Sequence, residues 1–246
     1  MIPGHGLTHT RTLEDARPIE AVLFDFGGTL DADGVRWAIR FHGAYRRAGG
    51  RLELPAFEVC FRESDGRLAR HPRIREAGFR EMAQLQCSLL ADQVPEGGAL
   101  AWDRIGQEFC AEALAVVGRN HSTLERLRRR WRLGVVSNFT GNLQLCLDEL
   151  GLSPLFSVVI DSAVHGREKP DPQPFQAALR ALEATTASSW MIGDNPEADI
   201  RPALALGMRA CWLTDPSRAA PRGLVPSARI ARLPELAATL DAACLA

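Results

Sequence analysis

The sequence contains almost no lysine. Of its 29 basic residues, 28 are arginine and one, Lys169, is lysine. A guanidinium group is a planar fork and an ammonium group is a compact point charge, so the two do not substitute for each other where geometry is tight. In a chain that uses arginine at every other basic position, Lys169 is a candidate functional residue. The competing interpretation is an ordinary solvated lysine.

Other absences exclude whole classes of protein. No apolar run reaches the roughly 20 residues needed to span a bilayer, and the first eighteen residues lack the apolar segment of a signal peptide. The net charge of −1 does not indicate the excess of positive charge expected for binding to nucleic acid or an anionic membrane. The one dense basic run, 126–132, is interpreted as the solvated end of a helix rather than a polyanion site. We therefore predict a cytoplasmic protein that binds neither nucleic acid nor membrane.

The six cysteines include no CxxC pair and no zinc-ligand spacing. In a cytosolic chain we expect them to be reduced, partly buried thiols. No feature of the sequence specifies an oligomeric state.

Two kinds of pattern divide the chain after a polar tail, residues 1–18, which we predict to be disordered. Short apolar strands alternate with helices in a segment that we assign to a core domain, residues 19–32 and 116–246. Between them, residues 33–115 are helical in pattern and form what we call the helical insertion. The predicted fold is α/β, a doubly wound parallel sheet resembling a Rossmann fold, with an all-helical domain inserted after the first strand.

The predicted strands span residues 19–26, 133–137, 157–161, 189–193, 209–213 and 228–231. The predicted helices span 35–48, 55–69, 73–92, 100–117, 122–131, 141–150, 173–184, 197–206 and 234–243.

Suggestive polar residues stand at four predicted strand ends. Asp25 closes the first strand, Ser137 closes the strand "LGVVS", and Asp194 follows the strand "WMIG" with Asp199 five residues later. Lys169 lies in the segment after the strand "SVVID". In an open parallel sheet, ligands bind beyond the carboxyl ends of the strands, so we expect these side chains to meet in one site.

These stretches resemble the four motifs of the haloacid dehalogenase superfamily. In the family's order they are "FDFGGT", "GVVSN", "EKPDP" and "GDNPEAD", and the resemblance covers residues 19 to about 214. Any one motif alone is weak, but the four in order on strand ends are specific. The helical insertion resembles the cap that one branch of the superfamily carries after its first motif. The resemblance implies a Mg²⁺-dependent phosphatase acting on a small phosphorylated molecule.

The resemblance also implies roles for the site residues. Asp25 would be the nucleophile that forms an aspartyl-phosphate. Mg²⁺ would be held by Asp25, the carbonyl of Gly27 and Asp194, with Asp199 supporting the metal site.

Phosphoryl oxygens would be bound by Lys169, Ser137 and the Asn138 amide. Gly28, with its neighbour Gly27, would let the backbone approach the ligand. Asp199 has a second interpretation, because an acid in the first turn of a helix is favoured there by the helix dipole.

Gly27 departs from the family pattern. In the family's phosphatases an acid at this position protonates the leaving oxygen and later activates water, and glycine does neither. Three interpretations remain: a phosphatase that needs little protonation or takes its acid from elsewhere, with Asp31 and Asp33 close by; a dehalogenase-type hydrolase; or a degenerate member that binds a phosphorylated ligand without turnover. The branch that forms a Schiff base with a cap lysine is excluded, because the helical insertion has no lysine.

No pattern identifies the substrate. On the first helix of the helical insertion, Arg36, Trp37, Arg40 and His42 are the candidate substrate contacts. An alternative is that Trp37 and Phe41, spaced i and i+4, form the insertion's own core.

Overall fold

The sheet that organises the protein is six-stranded and entirely parallel. The computed structural model describes residues 18–245, so the predicted tail lies outside the described residues except for Pro18. The strands are β1 (Ala21–Phe24), β2 (Arg132–Ser137), β3 (Val158–Asp161), β4 (Ser189–Gly193), β5 (Arg209–Leu213) and β6 (Ala228–Ile230). Their order across the sheet is β3-β2-β1-β4-β5-β6. The strand order reverses around β1, which confirms the predicted doubly wound fold.

Both faces of the sheet are covered, as the continuous apolar strands predict. Side chains of β1 alternate between the two sides: Val22 and Phe24 pack into one hydrophobic core, and Ala21 and Leu23 pack into the other. Because every residue of β1 is buried, the strand cannot show the polar alternation of a half-exposed strand. The central strand thus places Asp25 at the end of a rigid, dry element.

Helices fill the connections between the strands. The first four are α1 (Trp37–Arg47), α2 (Leu54–Leu68), α3 (Phe79–Ala91) and α4 (Trp102–Arg128). The others are α5 (Leu143–Glu149), α6 (Ser162–His165), α7 (Pro172–Ala181), α8 (Arg201–Ala205) and α9 (Leu236–Leu245). A π-helical turn, Pro196–Ile200, precedes α8 where one helix over 197–206 was expected. The helix expected over 73–92 begins only at Phe79, after a short 3₁₀ turn.

The prediction of two separate helices over 100–117 and 122–131 is wrong, because α4 is continuous from Trp102 to Arg128. Asn120 interrupts the apolar pattern but is buried on the same stripe as Val117 and Leu124. Gly118 costs a helix only about 1 kcal/mol relative to alanine. The boundary placed after residue 115 therefore falls inside a helix that runs from the helical insertion into the core.

Asp33 ties the two ends of the helical insertion together. Its carboxylate accepts hydrogen bonds from Arg119 Nη2 at 2.8 Å and Asn120 Nδ2 at 3.0 Å, and from the Leu233 amide at 3.1 Å. The start of the insertion, the second half of α4 and the C-terminal segment thus meet at one carboxylate. This closeness is expected for an insertion into a single strand-to-helix connection.

None of the helices within residues 18–245 combines the length and apolar character needed to cross a bilayer. All six cysteines are free thiols, in agreement with the prediction of reduced cysteines.

Candidate active site

The carboxyl ends of the central strands surround one cavity. It has a volume of about 530 Å³ and is lined by Asp25 after β1, Ser137 at the end of β2 and Asp194 after β4. Lys169 and Asp199 line the same cavity. The structure therefore brings the predicted strand-end residues together. Parallel strands in register make this unavoidable, since their carboxyl ends lie on one edge of the sheet.

Lys169 is at the centre of this group. Its ammonium Nζ donates to Asp25 Oδ1 at 2.7 Å and to Asp199 Oδ1 at 2.6 Å. The Lys169 side chain is only 2% exposed, so the interpretation of a solvated surface lysine is wrong. Ser137 Oγ donates to the same Asp25 oxygen at 3.0 Å. Two donors that bind phosphate well thus converge on one oxygen of the predicted nucleophile.

Charge within this buried group decides its protonation. Burial lowers the pKa of Lys169, but the negative charges of Asp199 and Asp25 outweigh it, and the pKa ends above its ordinary value. The lysine is therefore cationic at every physiological pH. Burial raises the pKa of Asp199 to about 6, against the lowering effect of the Lys169 charge.

Three buried carboxylates face a single buried cation. Burial raises the pKa of Asp194 well above its usual range, and the charges of Asp25 and Asp199 raise it further. One oxygen from each of these three acids lies within 4.8 Å of the others. A cation would relieve this uncompensated negative charge, and carboxylate oxygens are the donors that Mg²⁺ prefers. These residues therefore fit a bound divalent cation.

The two glycines after Asp25 differ in what constrains them. Gly28 has a φ of +95°, and a Cβ added there would lie 2.7 Å from Asp194 Oδ1, so only glycine fits. Gly27 has no positive φ, and its carbonyl accepts no hydrogen bond within residues 18–245. A Cβ added at Gly27 would lie 3.3 Å from Cε2 of Trp37. The space above Gly27 is thus taken by the indole of the first helix of the helical insertion.

Asp31 and Asp33, the nearby acids considered as proton donors, are both engaged. Asp31 is fully buried and accepts from the Gly28 amide, Trp37 Nε1 and Arg40 Nη1 at 2.7–2.8 Å. Burial raises the pKa of Asp31, and the charge of Arg40 opposes that rise. Asp33 holds the ends of the helical insertion together, as described above. Neither acid lines the cavity, so both are structural.

The candidate substrate contacts at the start of α1 and along it divide into two kinds. Arg36 and Trp37 line the cavity, and Arg36 pairs with Glu58 at 2.7 Å. Arg40 is buried against Asp31, and His42 Nε2 lies 2.9 Å from the Leu52 carbonyl, so these two hold the insertion together.

Trp37 itself contacts rings from both parts of the protein. Its ring lies edge-on to Phe79 and Phe109 of the helical insertion and to Phe26 and Phe139 of the core. Trp37 is therefore only partly a member of the insertion's own core, because two of these four ring contacts are with the core domain.

Two positioning residues escaped the sequence reasoning. Asp161, the last residue of β3, accepts from the amides of Gly141 and Leu143 and so fixes the loop after β2. Thr29 Oγ1 donates to Asp194 Oδ1 at 3.1 Å. The sequence contained a sign of both roles: Asp161 is an acid at a predicted strand end, and Thr29 belongs to the first motif.

Asn138 acts through its side chain on the neighbouring loop. Its amide group donates to the Lys169 carbonyl at 2.8 Å and accepts from the Lys169 amide at 2.7 Å. This pair of bonds fixes the backbone that carries the ammonium group. Asn138 also lines the cavity.

Comparisons with known proteins agree with this arrangement. Residues 19–207 match the family model described as haloacid dehalogenase-like hydrolase. The 5-amino-6-(5-phospho-D-ribitylamino)uracil phosphatase YigB of Escherichia coli K12 is 26% identical over 207 residues, which are 79% of this chain and 83% of that protein.

Solved structures resemble the fold over nearly its whole length. The 2-haloacid dehalogenase from Pseudomonas syringae pv. Tomato DC3000 superposes with a TM-score of 0.52 at 25% identity, covering 91% of this chain and 99% of that one. The hydrolase YfnB from Bacillus subtilis, solved bound to magnesium, gives a TM-score of 0.57 at 18% identity, with 92% and 100% coverage.

Proposed function

The chain belongs to the haloacid dehalogenase-like hydrolase family, and from this premise we propose that it is a Mg²⁺-dependent phosphatase of small phosphate monoesters. The observation that carries the proposal is the buried contact of the Lys169 ammonium with Asp25, beside Asp194 and Asp199. Nucleophile and phosphate are both anionic, so a site for phosphoryl transfer must supply positive charge. A relative, YigB, carries the name of a phosphatase.

Asp25 is the nucleophile in this mechanism. Its Oδ1 accepts from Ser137 and Lys169, and its Oδ2 accepts no hydrogen bond from a donor within residues 18–245. Attack by Oδ2 forms a bond to phosphorus and breaks the ester bond, whose electron pair leaves with the alcohol oxygen. Water then attacks the phosphorus of the aspartyl-phosphate and breaks its bond to Oδ2, which releases inorganic phosphate and regenerates the Asp25 carboxylate.

Ser137 and Lys169 bind the phosphoryl oxygens. Both already lie within 3.0 Å of the nucleophilic carboxylate, so a phosphate brought to Asp25 meets these donors without rearrangement of the strands. Asp25, Asp194 and the Gly27 carbonyl would hold Mg²⁺, which would supply further charge neutralisation at the phosphoryl group. Asp199 holds Lys169 in place and adds its charge to the cation site.

The missing acid at Gly27 sets the limits of the reaction. With Asp31 and Asp33 engaged elsewhere, neither acid protonates the leaving oxygen. Esters of acidic alcohols are therefore expected to react faster than esters of simple alkanols. The helical insertion, residues 33–115, serves as a cap that closes the cavity over the substrate and limits access of water.

Attack of Asp25 on carbon with release of halide is a second candidate, and the absence of an acid at Gly27 favours it. The cluster of Asp25, Asp194 and Asp199 weighs against it, because a halide leaving group does not require a cation site of this kind.

A panel of phosphate esters and 2-haloacids, assayed with Mg²⁺ and with a chelator, tests both candidates. We expect phosphate release that requires Mg²⁺ and is lost in Asp25→Asn, which keeps the shape of the side chain and removes the nucleophile. Halide release without phosphate release would favour the second candidate. Turnover of no compound, with phosphate still bound, would leave a ligand-binding protein.

A further inference from the structure

The leaving group of a substrate at Asp25 must lie in the part of the cavity lined by the helical insertion. In phosphoryl transfer the attacking and leaving oxygens are in line across phosphorus. Asp25 follows β1 and lines the sheet side of the cavity, so we place the leaving oxygen on the side away from the sheet. The residues from the insertion that line the cavity include Trp37 on α1 and Phe61 on α2.

Trp37 lies against Gly27, near the predicted nucleophile. Its ring atoms Cε2, Nε1 and Cζ2 are 3.3–3.5 Å from the position of a Cβ at Gly27, two residues from the nucleophile. The indole Nε1 donates to Asp31 Oδ2 at 2.7 Å. The ring is thus fixed beside the phosphate site.

Two further aromatic rings, those of Phe61 and Phe139, line the cavity, and all three rings are half-buried. Phe61 makes its ring contacts with Phe41 and Phe57, behind it in the insertion. We call Trp37, Phe61 and Phe139 the aromatic wall.

An aromatic wall exposed in a cavity is a poor partner for a small polar alcohol. Apolar surface of this kind is stabilised when a ligand covers it. Aromatic rings pair with one another, edge-on or offset, with a gain beyond the area buried. A flat ring bonded to the ester oxygen would reach Trp37 directly, because the wall begins beside Gly27.

We propose that the aromatic wall binds the planar ring of an aryl leaving group, so that the preferred substrates are aryl phosphate monoesters. The assignment of a reacting ester rests on the proposed phosphatase function; the binding of the ring does not. Such leaving groups are also those that need the least protonation, which suits a site without an acid at Gly27.

Binding of two stable phosphonates tests the proposal. Phenylphosphonate and cyclohexylphosphonate have six-membered rings of similar size, one flat and one puckered, and Asp25 cannot displace carbon from either. Titration calorimetry of the full chain with Mg²⁺ should show phenylphosphonate binding about five- to tenfold more tightly, as expected for one or two aromatic contacts.

Variants of the aromatic wall test whether it causes the preference for phenylphosphonate. Phe61→Leu keeps an apolar side chain and should reduce the preference to about twofold, and Trp37→Leu should reduce it similarly if that variant folds. Val59→Ala is the matched control, since Val59 is on the same helix but 57% exposed and outside the cavity. It should keep the full preference.

Equal affinity for the two phosphonates, no binding of either, or a preference unchanged in Phe61→Leu would overturn the proposal. Hydrolysis assays distinguish failure of the ring-binding proposal from failure of the proposed phosphatase function. Preference for phenylphosphonate in a protein that hydrolyses no ester would support the ring site and reject the phosphatase. Ester hydrolysis with equal binding of the two phosphonates would reject the ring site alone.

Discussion

Gly27→Asp restores the acid that a phosphatase of this family is expected to carry, and the structure predicts that this change alone fails. The backbone at Gly27 has no positive φ, so strain does not forbid a side chain. The obstacle is Trp37: a Cβ would already lie 3.3 Å from Cε2 and 3.4 Å from Nε1. The carboxyl oxygens lie two bonds beyond Cβ, so the rotamers that point toward the indole would clash with it.

The indole cannot easily move aside. Trp37 donates to the buried Asp31 and lies within 6.2 Å, centroid to centroid, of four other aromatic rings. Displacing it would break the hydrogen bond to a buried carboxylate and several aromatic contacts, at a cost on the order of 3 kcal/mol. We therefore expect Gly27→Asp to lower the melting temperature and to leave the rate on alkyl phosphates unchanged.

Trp37→Ala in the same chain should release the new carboxyl group. A positioned general acid is worth about 10²–10⁴ in rate, most for the least acidic alcohols. The double variant should therefore exceed Trp37→Ala alone by that factor on alkyl phosphates and by much less on aryl phosphates. Gly27→Ala, with and without Trp37→Ala, controls for the added Cβ.

The assay is kcat/KM against leaving-group pKa with Mg²⁺ for wild type, the two single variants and the double variant. The wild type should show a steep dependence that becomes shallow only in the double variant. A rate gain in Gly27→Asp alone would show that Trp37 does not block the position. A double variant no faster than Trp37→Ala, or a flat dependence in the wild type, would refute the missing-acid argument.

Five further results are expected. Asp25→Asn should abolish turnover while retaining the melting temperature within a few degrees; measurable turnover would exclude covalent catalysis. Lys169→Arg should lose at least about 10²-fold in kcat, because a guanidinium is too broad for a buried position 2.6–2.7 Å from two carboxylates; a near-normal rate would reject the role of the ammonium. Burial raises the pKa of Asp199 to about 6, above its unfolded value near 4, so the metal-free protein should lose stability as pH rises between those values. Mg²⁺ requires the ionised carboxylate, so the increase in melting temperature on adding Mg²⁺ should shrink as pH falls through about 6; a pH-independent shift would exclude a metal site at this cluster. Asp33→Asn tolerates the φ of 46° at this position but loses the ion pair with α4, so it should lower the melting temperature and leave kcat unchanged; a steep fall in kcat at an unchanged melting temperature would make Asp33 the proton donor.

The sequence alone determined the succession of the six strands and the edge of the sheet at which the site lies. Each strand is a short apolar run bounded by polar residues, and this pattern is local. Parallel strands in such a fold end on the same side, so Asp25, Ser137 and Asp194 could be placed together without coordinates. The single lysine in an arginine-rich chain marked Lys169 as a position that requires a compact cation, and the structure places its ammonium group against two buried carboxylates.

Tertiary packing decided what surrounds the missing acid. Nothing in the sequence near Gly27 reveals that Trp37 fills the space above it, because that contact depends on how α1 packs against the loop after β1. The sequence does not show that Asp31 and Asp33 are hydrogen-bonded. Two of the partners of Asp33 lie far along the chain: Asn120 is 87 residues away and Leu233 is 200 residues away. The continuity of α4 was hidden in the same way, since a buried Asn120 interrupts the apolar periodicity and its burial is a property of the assembled core. Periodicity reports which residues share a face, and only the packed chain determines what that face touches.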